Sequence, residues 1–269
     1  GLDCCDSQGE YILMLDSDDY IDHRFIEKMV YHADKYHADL TVCGLERFDD
    51  KTGKTVCTEM INNPDEVITD LKDFELLGYM NPVVWNKLIR RTVIADIRFT
   101  RIKRSEDTVF LFSILPNVKS VKFINEVLYH YRLREASLSG AITDEIYESM
   151  LEGFKEAKEL FAQDAKYSEF MELFVVQMFI RCGIGGASRL SFRDMRKAAF
   201  YVKKTGKFMD DIFPEWRKNK YLTVSCLQKK SVYALAVSCA ALLYKCHLFI
   251  LAVYLYWFMS RICKKDYRA

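Results

Sequence analysis

A cluster of carboxylates follows directly on an apolar run near the start of the chain. The run 11–15 is typical of a buried strand, and the polar residues after it are Asp16, Ser17, Asp18 and Asp19. Mutual repulsion and loss of hydration make such a cluster costly unless a cation or fixed donors compensate. Mg²⁺ and Mn²⁺ prefer oxygen ligands, and Mg²⁺ commonly links one or two carboxylates to substrate phosphates. The cluster therefore predicts a divalent ion that carries a phosphorylated substrate.

Two other interpretations of this cluster exist. Asp19 or Asp22 would equally well cap the helix that follows, because Asp accepts hydrogen bonds from the first free N–H groups of a helix. The acids also have the spacing of an EF-hand calcium loop, with Asp16 first and Glu27 twelfth. Ile21 stands where that loop needs glycine, and a strand-like run precedes it in place of a helix. The sequence thus argues against the calcium loop and leaves capping open.

A second acidic pair, Glu106 and Asp107, precedes the apolar helical run 108–115. Ser105 would cap this helix, and the helix dipole stabilises carboxylates in a first turn. In the functional interpretation, one carboxylate of the pair takes a proton from an attacking hydroxyl as general base. The residues alone leave both interpretations open.

Charge and cysteine content limit the classes of function. The 269 residues suffice for one large or two modest domains. With 39 Lys and Arg against 38 Asp and Glu, the chain lacks the basic excess typical of nucleic-acid binding, and we expect no nucleic-acid partner. The nine cysteines form no C-x-x-C pair, and their odd number and apolar surroundings fit reduced thiols of the cytoplasm.

Hydrophobic periodicity predicts the order of the first elements. A strand at 11–15, a helix at 22–37 and a strand at 39–45 form the pattern of an α/β sheet, in which ligands bind at the carboxyl ends of strands. Residues 46–60 are predicted to form a hairpin and residues 64–79 a helix.

The chain beyond residue 140 has helical periodicity. Helices are predicted at 143–164, 167–182 and 191–209. The stretch 231–260 is almost wholly apolar in two halves around Lys245, and each half is shorter than the ~20 apolar residues that cross a bilayer. We expect a pair of helices lying on a membrane surface, with a pair of buried helices as the alternative.

Four segments resemble those of the family-two glycosyltransferases, the inverting GT-A-fold enzymes of bacterial surface-polysaccharide synthesis. In chain order they are Gly9-Glu10-Tyr11-Ile12 leading into Leu15-Asp16-Ser17-Asp18-Asp19-Tyr20-Ile21, then Trp85-Asn86-Lys87-Leu88-Ile89-Arg90, then Ser105-Glu106-Asp107-Thr108-Val109-Phe110, and Tyr129-His130-Tyr131-Arg132 with Ser137. Their common order over residues 1–140 makes the resemblance specific.

The resemblance implies a role for each matching position. Asp16 and Asp18 would be the D-x-D carboxylates, with Asp18 the direct metal ligand and Asp16 nearer the donor ribose or the metal's water shell. Asp107, with Glu106 beside it, would be the general base that activates the acceptor hydroxyl. Arg132 and Arg134 would contact the diphosphate of the donor, because a guanidinium matches phosphate oxygens, with a solvated basic loop as the alternative.

The resemblance also implies an architecture and an activity. The fold would be α/β, with a GT-A-like nucleotide-sugar transferase domain lacking its N-terminal strands in 1–140, a helical extension in 141–228 and apolar, membrane-associated helices in 229–269. The chain would thus be a fragment of a longer transferase. Its activity would be metal-dependent sugar transfer from a nucleotide-diphosphate sugar to a glycan or lipid-linked acceptor, at the inner face of the plasma membrane. A non-catalytic homologue or interaction domain is the alternative. Trp85 would serve as an acceptor platform or as a core anchor.

Overall fold

The chain divides into two compact units. The computed structural model describes residues 2–4, 8–71, 75–102, 105–134, 143–186, 195–223 and 232–263. The first unit, here called the sheet unit, comprises Gly1–Phe74, Met80–Arg101 and Glu106–Gly140. The second, here called the helical unit, comprises Glu75–Tyr79, Ile102–Ser105 and Ala141–Ala269.

A mixed six-stranded sheet organises the sheet unit. Its strands are β1 Tyr11–Leu13, β2 Tyr20–Ile21, β3 Leu40–Asp49, β4 Thr55–Glu59, β5 Lys87–Arg90 and β6 Val121–Leu133. The strand order is β1-β5-β3-β6-β2, and β4 pairs with β3. β3 and β6 are parallel, whereas the other pairs are antiparallel. The α/β class, the strands predicted at 11–15 and 39–45, which are β1 and β3, and the hairpin of β3 and β4 are confirmed.

β3 lies at the centre because its first six residues are all buried, as in a strand covered on both faces. Helix α1, Phe25–Lys35, buries Phe25, Met29 and Ala33 at intervals of four, so that one face packs on the sheet. α1 confirms the predicted helix at 22–37. The short α3, Arg91–Ile94, and α4, Glu106–Ile114, complete the helices described in this unit.

A glycine sets the register of the parallel pair. The pairing of β3 with β6 shifts at Gly44. A Cβ atom there would lie 2.6 Å from Cγ2 of Ile61 and 2.7 Å from the carbonyl oxygen of Glu126. Both distances are shorter than a Cβ atom keeps from other heavy atoms, so only glycine fits without a shift of its neighbours. This close approach lets β6 continue past the shift and bring Tyr129 and Arg132 to the segment that follows β1.

The helix predicted for residues 64–79 is wrong over most of its length. Residues 64–71 are not helical, and helix α2 covers Leu76–Tyr79. The backbone of Ile68 forms a bridge with Val121, and the two residues exchange N–H···O bonds of 2.9 Å in both directions. Because these groups extend the sheet, they are not available for hydrogen bonds within a helix.

The helical unit confirms the helical character predicted beyond residue 140. Its longer elements are α5 Asp144–Phe161, α6 Met171–Met178 with a π-helical continuation Phe179–Gly185, α7 Met195–Ile212, α8 Val232–Lys245 and α9 Phe249–Cys263. Thr143 caps α5 by accepting a hydrogen bond from the Ile146 amide. Within the described ranges, no helix has the length and apolarity that a membrane crossing requires.

Candidate active site

The predicted metal ligands lie on the connection between two strands of the sheet unit. We call residues 14–19 the acidic loop. It joins β1 to β2, which are the first and last strands in the sheet order, so it passes the ends of the strands between them. The Asp19 amide donates to the Asp16 carbonyl at 3.3 Å and closes a turn that contains Asp18. The acids therefore lie at the carboxyl end of β1, where α/β proteins bind ligands.

Two residues of β6 hold the acidic loop. The Tyr129 hydroxyl donates to Oδ2 of Asp19 at 2.8 Å and accepts from the Asp16 amide at 3.4 Å. The Arg132 amide donates to Oδ1 of Asp19 at 2.9 Å. Both Asp19 oxygens thus bond to β6, and Asp19 does not cap α1. Asp22 does not cap it either: its Oδ1 accepts from the Arg24 amide at 2.8 Å just before α1, but Arg24 is the N-cap residue and the helix has no side-chain capping bond.

The charges of the two acidic segments act on each other. Partial loss of hydration is the largest cause that raises the pKa of Asp16, followed by repulsion from Asp19, Asp18 and Glu106. Burial also raises the pKa of Asp19, although hydrogen bonds from Arg132 and Tyr129 oppose this effect. Glu106 is 90 residues from Asp16 in sequence, yet it contributes to the same negative field. Glu106 of the second acidic segment is therefore close enough to Asp16 for their charges to interact.

Two arginines from the end of β6 contact the acidic loop. Arg132 donates from Nε to the Asp18 carbonyl and from Nη1 to Oδ1 of Asp50, each at 2.8 Å. Nη1 of Arg134 lies 3.7 Å from Oδ2 of Asp18. In this arrangement the Arg132 guanidinium holds the loop, and its predicted contact with a donor diphosphate stays a prediction. Ser137 of the same segment lies outside the described residues.

The predicted general base lies in the first turn of α4. Glu106 and Asp107 are both half-buried there, and the role of each stays a prediction. Ser105 does not cap this helix, contrary to expectation. It has a φ of +67°, whereas a capping residue needs an extended backbone, and its hydroxyl has no hydrogen-bond partner among the described residues.

The donor atoms of the acidic loop fit a hard divalent cation. The described residues include no group of three or more His, Cys, Asp or Glu side chains able to hold a metal ion. Mg²⁺ needs fewer protein ligands, because it keeps waters and binds substrate phosphates through one or two carboxylates. Asp16 and Asp18 supply such carboxylates, and the raised pKa of Asp16 indicates negative charge that a cation would stabilise.

Trp85 packs in the core below the acidic loop. Its side chain is 5% exposed and stacks on Tyr129 at 4.1 Å and on Tyr131 at 5.4 Å between ring centroids. This burial favours the core anchor over the acceptor platform. Sequence reasoning missed the role of Tyr129, although the alternation of Tyr129 and Tyr131 in a strand places both rings on one face.

Comparison with known proteins finds relatives for a large part of the chain. Residues 2–98 match the family model "Glycosyl transferase family 2". The chain is 27% identical over 183 residues to the putative glycosyltransferase EpsH of Bacillus subtilis (strain 168), covering 63% of this chain and 52% of that protein. It is 24% identical over 140 residues to the glycosyltransferase GlyG of Streptococcus pneumoniae serotype 4, covering 49% of this chain and 46% of that protein. The chain thus spans about half the length of these curated relatives or less.

Solved structures show the same fold. The crystal structure of S. aureus TarS 1-349 in complex with UDP-GlcNAc matches with a TM-score of 0.60 and 17% identity, over 97% of this chain and 70% of that one. The same TarS segment in complex with UDP matches with a TM-score of 0.56 and 15% identity, over 97% of this chain and 69% of that one. Residues 2–98 thus match glycosyl transferase family 2, and the chain shares the GT-A fold of the TarS structures.

Proposed function

We propose that the sheet unit binds a nucleotide-diphosphate sugar and transfers the sugar, with inversion, to a glycan or lipid-linked acceptor. The observation that carries this proposal is that Tyr129 and Arg132 hold the loop with Asp16 and Asp18 at the end of β1, where the charge of Glu106 also acts on Asp16. The relatives support it, because they are named glycosyltransferases and the TarS segment was crystallised with UDP-GlcNAc and with UDP. Surface-polysaccharide synthesis is the process that we infer.

The metal of this proposal is Mg²⁺ or Mn²⁺, and Asp18 and Asp16 would hold it. When bound, such an ion neutralises charge on the departing diphosphate. Tyr129 and Arg132 fix the loop that carries both carboxylates, so their positions are set before the donor arrives. Arg134, paired with Asp18, is close enough to exchange that partner for a phosphate oxygen of the donor.

Asp107 would act as the general base that accepts the proton of the acceptor hydroxyl. As the acceptor hydroxyl attacks the anomeric carbon, its proton passes to the Asp107 carboxylate. The bond from that carbon to the diphosphate breaks, and the leaving group departs with the bonding electrons from the opposite face. Glu106 lies beside Asp107 at the start of α4, where the helix dipole favours the ionised carboxylate that a base requires.

Donor binding and chemistry are separable by mutation in the whole protein. Calorimetric titration with UDP-GlcNAc, with and without Mn²⁺, measures binding, and product analysis with a glycan acceptor measures transfer. We expect Asp18→Asn to abolish Mn²⁺-dependent binding, and Asp107→Asn to retain binding but lose transfer. Glu27→Gln on the exposed face of α1 is the matched control and should change neither. Unaltered Mn²⁺-dependent binding by Asp18→Asn would overturn the metal assignment, and binding without transfer by the unmutated protein would identify a non-catalytic homologue.

We also infer attachment to the cytoplasmic face of the plasma membrane. Helix α9 buries Phe249 and Val253 but exposes Leu251 and Leu255 by 54% and 65%. Exposed leucines on one helix face suit the boundary between lipid head groups and acyl chains. Flotation with liposomes tests this inference: the double substitution Leu251→Gln and Leu255→Gln should reduce recovery with the lipid. Phe200→Gln on α7 is the control. Equal recovery of the unmutated protein, the double leucine variant and this control would contradict membrane attachment through α9.

A further inference from the structure

The helical unit contains a cavity, partly open to solvent, that the proposed transfer reaction does not use. Its volume is about 530 Å³, within the range of small-molecule sites, which is roughly 300–1,000 Å³. One wall is helix α7, and the others come from Trp216 and Arg217 and from the junction between α8 and α9. All of these residues belong to the helical unit.

The cavity has an aromatic wall whose polar atoms are already bonded. Trp216, Tyr244 and Phe249 form this wall and are each less than 10% exposed. Nε1 of Trp216 donates to Asp210 at 2.8 Å, and the Tyr244 hydroxyl donates to the Gly183 carbonyl at 2.9 Å. Since the remaining surfaces of these rings are apolar, the wall suits an apolar ligand body rather than a sugar or a nucleotide.

The charged residues of the lining have an excess of cations. Arg217 forms two hydrogen bonds of 2.9 Å to Asp210, and these bonds hold the pKa of Asp210 below its ordinary value. This pair is neutral, which leaves Lys203 and Lys207 against Asp211. The two lysines are one helical turn apart and therefore lie on the same face of α7.

Two further observations indicate the nature of the ligand. Lys245 adds a cation near the aromatic wall: its Nζ lies 5.6 Å from the Trp216 ring and donates to the Leu222 carbonyl at 2.9 Å, and burial, then repulsion from Arg217, lowers its pKa. Leu248 and Leu251 next to Phe249 are exposed by 46% and 54%, which extends the apolar surface outside the cavity.

We propose that this cavity binds an amphiphile with a phosphate head group, with the alkyl chain against the aromatic wall and the phosphate on Lys203 and Lys207. A phosphate monoester carries a charge between about −1 and −2 at neutral pH, which two lysines compensate. The site shares no residue with the acidic loop, so this proposal does not depend on the proposed sugar transfer. The same head group occurs on dissolved alkyl phosphates and on membrane lipids, and the test distinguishes these sources.

Calorimetric titration of the full chain tests the site with dodecyl phosphate kept below its micelle concentration. We expect one molecule per chain, and binding of dodecanol or inorganic phosphate at least about tenfold weaker, since each lacks half of the recognised features. The double substitution Lys203→Gln and Lys207→Gln should weaken the binding of dodecyl phosphate by about tenfold or more. Lys218→Gln is the matched control, because this lysine side chain is 87% exposed and does not line the cavity.

A cavity-filling variant tests the apolar part. A Cβ on Gly206 would have its nearest neighbour, Cδ1 of Tyr244, at 4.0 Å, so Gly206→Leu has space to extend into the cavity and improves helix propensity. We expect this variant to keep its circular dichroism spectrum and melting temperature and to lose the ability to bind dodecyl phosphate. Unchanged binding in the folded variant overturns the proposal, and if the variant does not fold, unchanged binding in the double lysine variant overturns it.

A comparison of vesicles distinguishes a ligand taken from solution from one taken from a membrane. Vesicles containing phosphatidic acid are compared with vesicles of phosphatidylcholine alone. Binding to dissolved dodecyl phosphate, with or without binding to phosphatidic acid, supports the cavity, and both together indicate a ligand drawn from a membrane. Binding to the acidic vesicles without binding to dissolved dodecyl phosphate overturns the proposal, because it would assign the lysines to a membrane surface.

Discussion

Tyr129→Phe removes a single hydroxyl that joins β6 to the acidic loop. The ring that stacks on Trp85 at 4.1 Å remains. The hydroxyl donates to the Asp19 carboxylate at 2.8 Å, and a hydrogen bond to a charged group contributes about 1.5–3 kcal/mol. Its second bond, from the Asp16 amide at 3.4 Å, is long and adds little. We expect the free energy of unfolding of the sheet unit to fall by about 2 kcal/mol.

The loss should depend on pH in a defined direction. The Tyr129 hydroxyl lowers the pKa of Asp19 in the folded protein, against the dominant effect of burial, so its removal raises that pKa further. The stability difference between the two proteins is therefore complete where Asp19 is ionised in both, above the folded pKa of the variant. It decreases as the pH falls and vanishes below the folded pKa of the unmutated protein, where Asp19 is protonated in both.

Urea denaturation at neutral and at acidic pH measures both effects, with tryptophan fluorescence as the probe, since Trp85 contacts the mutated ring. Tyr20→Phe is the matched control, because this half-exposed tyrosine stacks on His130 and its hydroxyl has no hydrogen bond within the described residues. A loss below about 0.5 kcal/mol at neutral pH, or an equal loss at both pH values, would refute the assigned role.

Three further predictions concern stability. Gly44→Ala should cost about 1–3 kcal/mol through the crowding at the register shift, whereas Gly206→Ala, which has free space, should be neutral or stabilising; urea midpoints of the two variants check this contrast. Thr143→Ala should cost about 1 kcal/mol by removing the cap of α5, and Thr143→Ser should retain most of it in the same assay. Mn²⁺ should raise the melting temperature at neutral pH, where the Asp16 carboxylate is ionised and repelled by its neighbours. This increase should vanish in acid, when protonation of the carboxylates removes both the repulsion and the metal ligands, and it should be absent in Asp18→Asn.

The parts of the fold that depend on local pattern were predictable from the sequence. An apolar run identifies β1 and α4, a helical apolar period identifies α1, and turn residues identify the hairpin of β3 and β4, each over a few residues. The helix predicted at 64–79 fails because Ile68 pairs with Val121, and this partner lies 53 residues away, which a local period does not reveal.

The same distinction applies to the candidate site. The acids of the loop were predictable, because a carboxylate cluster directly after a strand is a local feature. The contacts of Tyr129 and Arg132 with that loop span more than 100 residues and depend on the parallel pairing of β3 with β6. Lys87 is a similar case: its fully buried ammonium donates to two backbone carbonyls and to the side chain of Asn86, which the strand pattern does not indicate.

The acidic loop also determines where this protein tolerates a change in length. Residues 14–19 connect the two margins of one sheet, so an inserted or deleted residue would displace a margin strand or move the carboxylates away from the strand ends. The exposed turn at 51–53 links β3 to its neighbour β4 and has no such constraint. Affinity handles and reporter peptides therefore belong in that turn, and an engineered version should keep the connection between β1 and β2 at its present length.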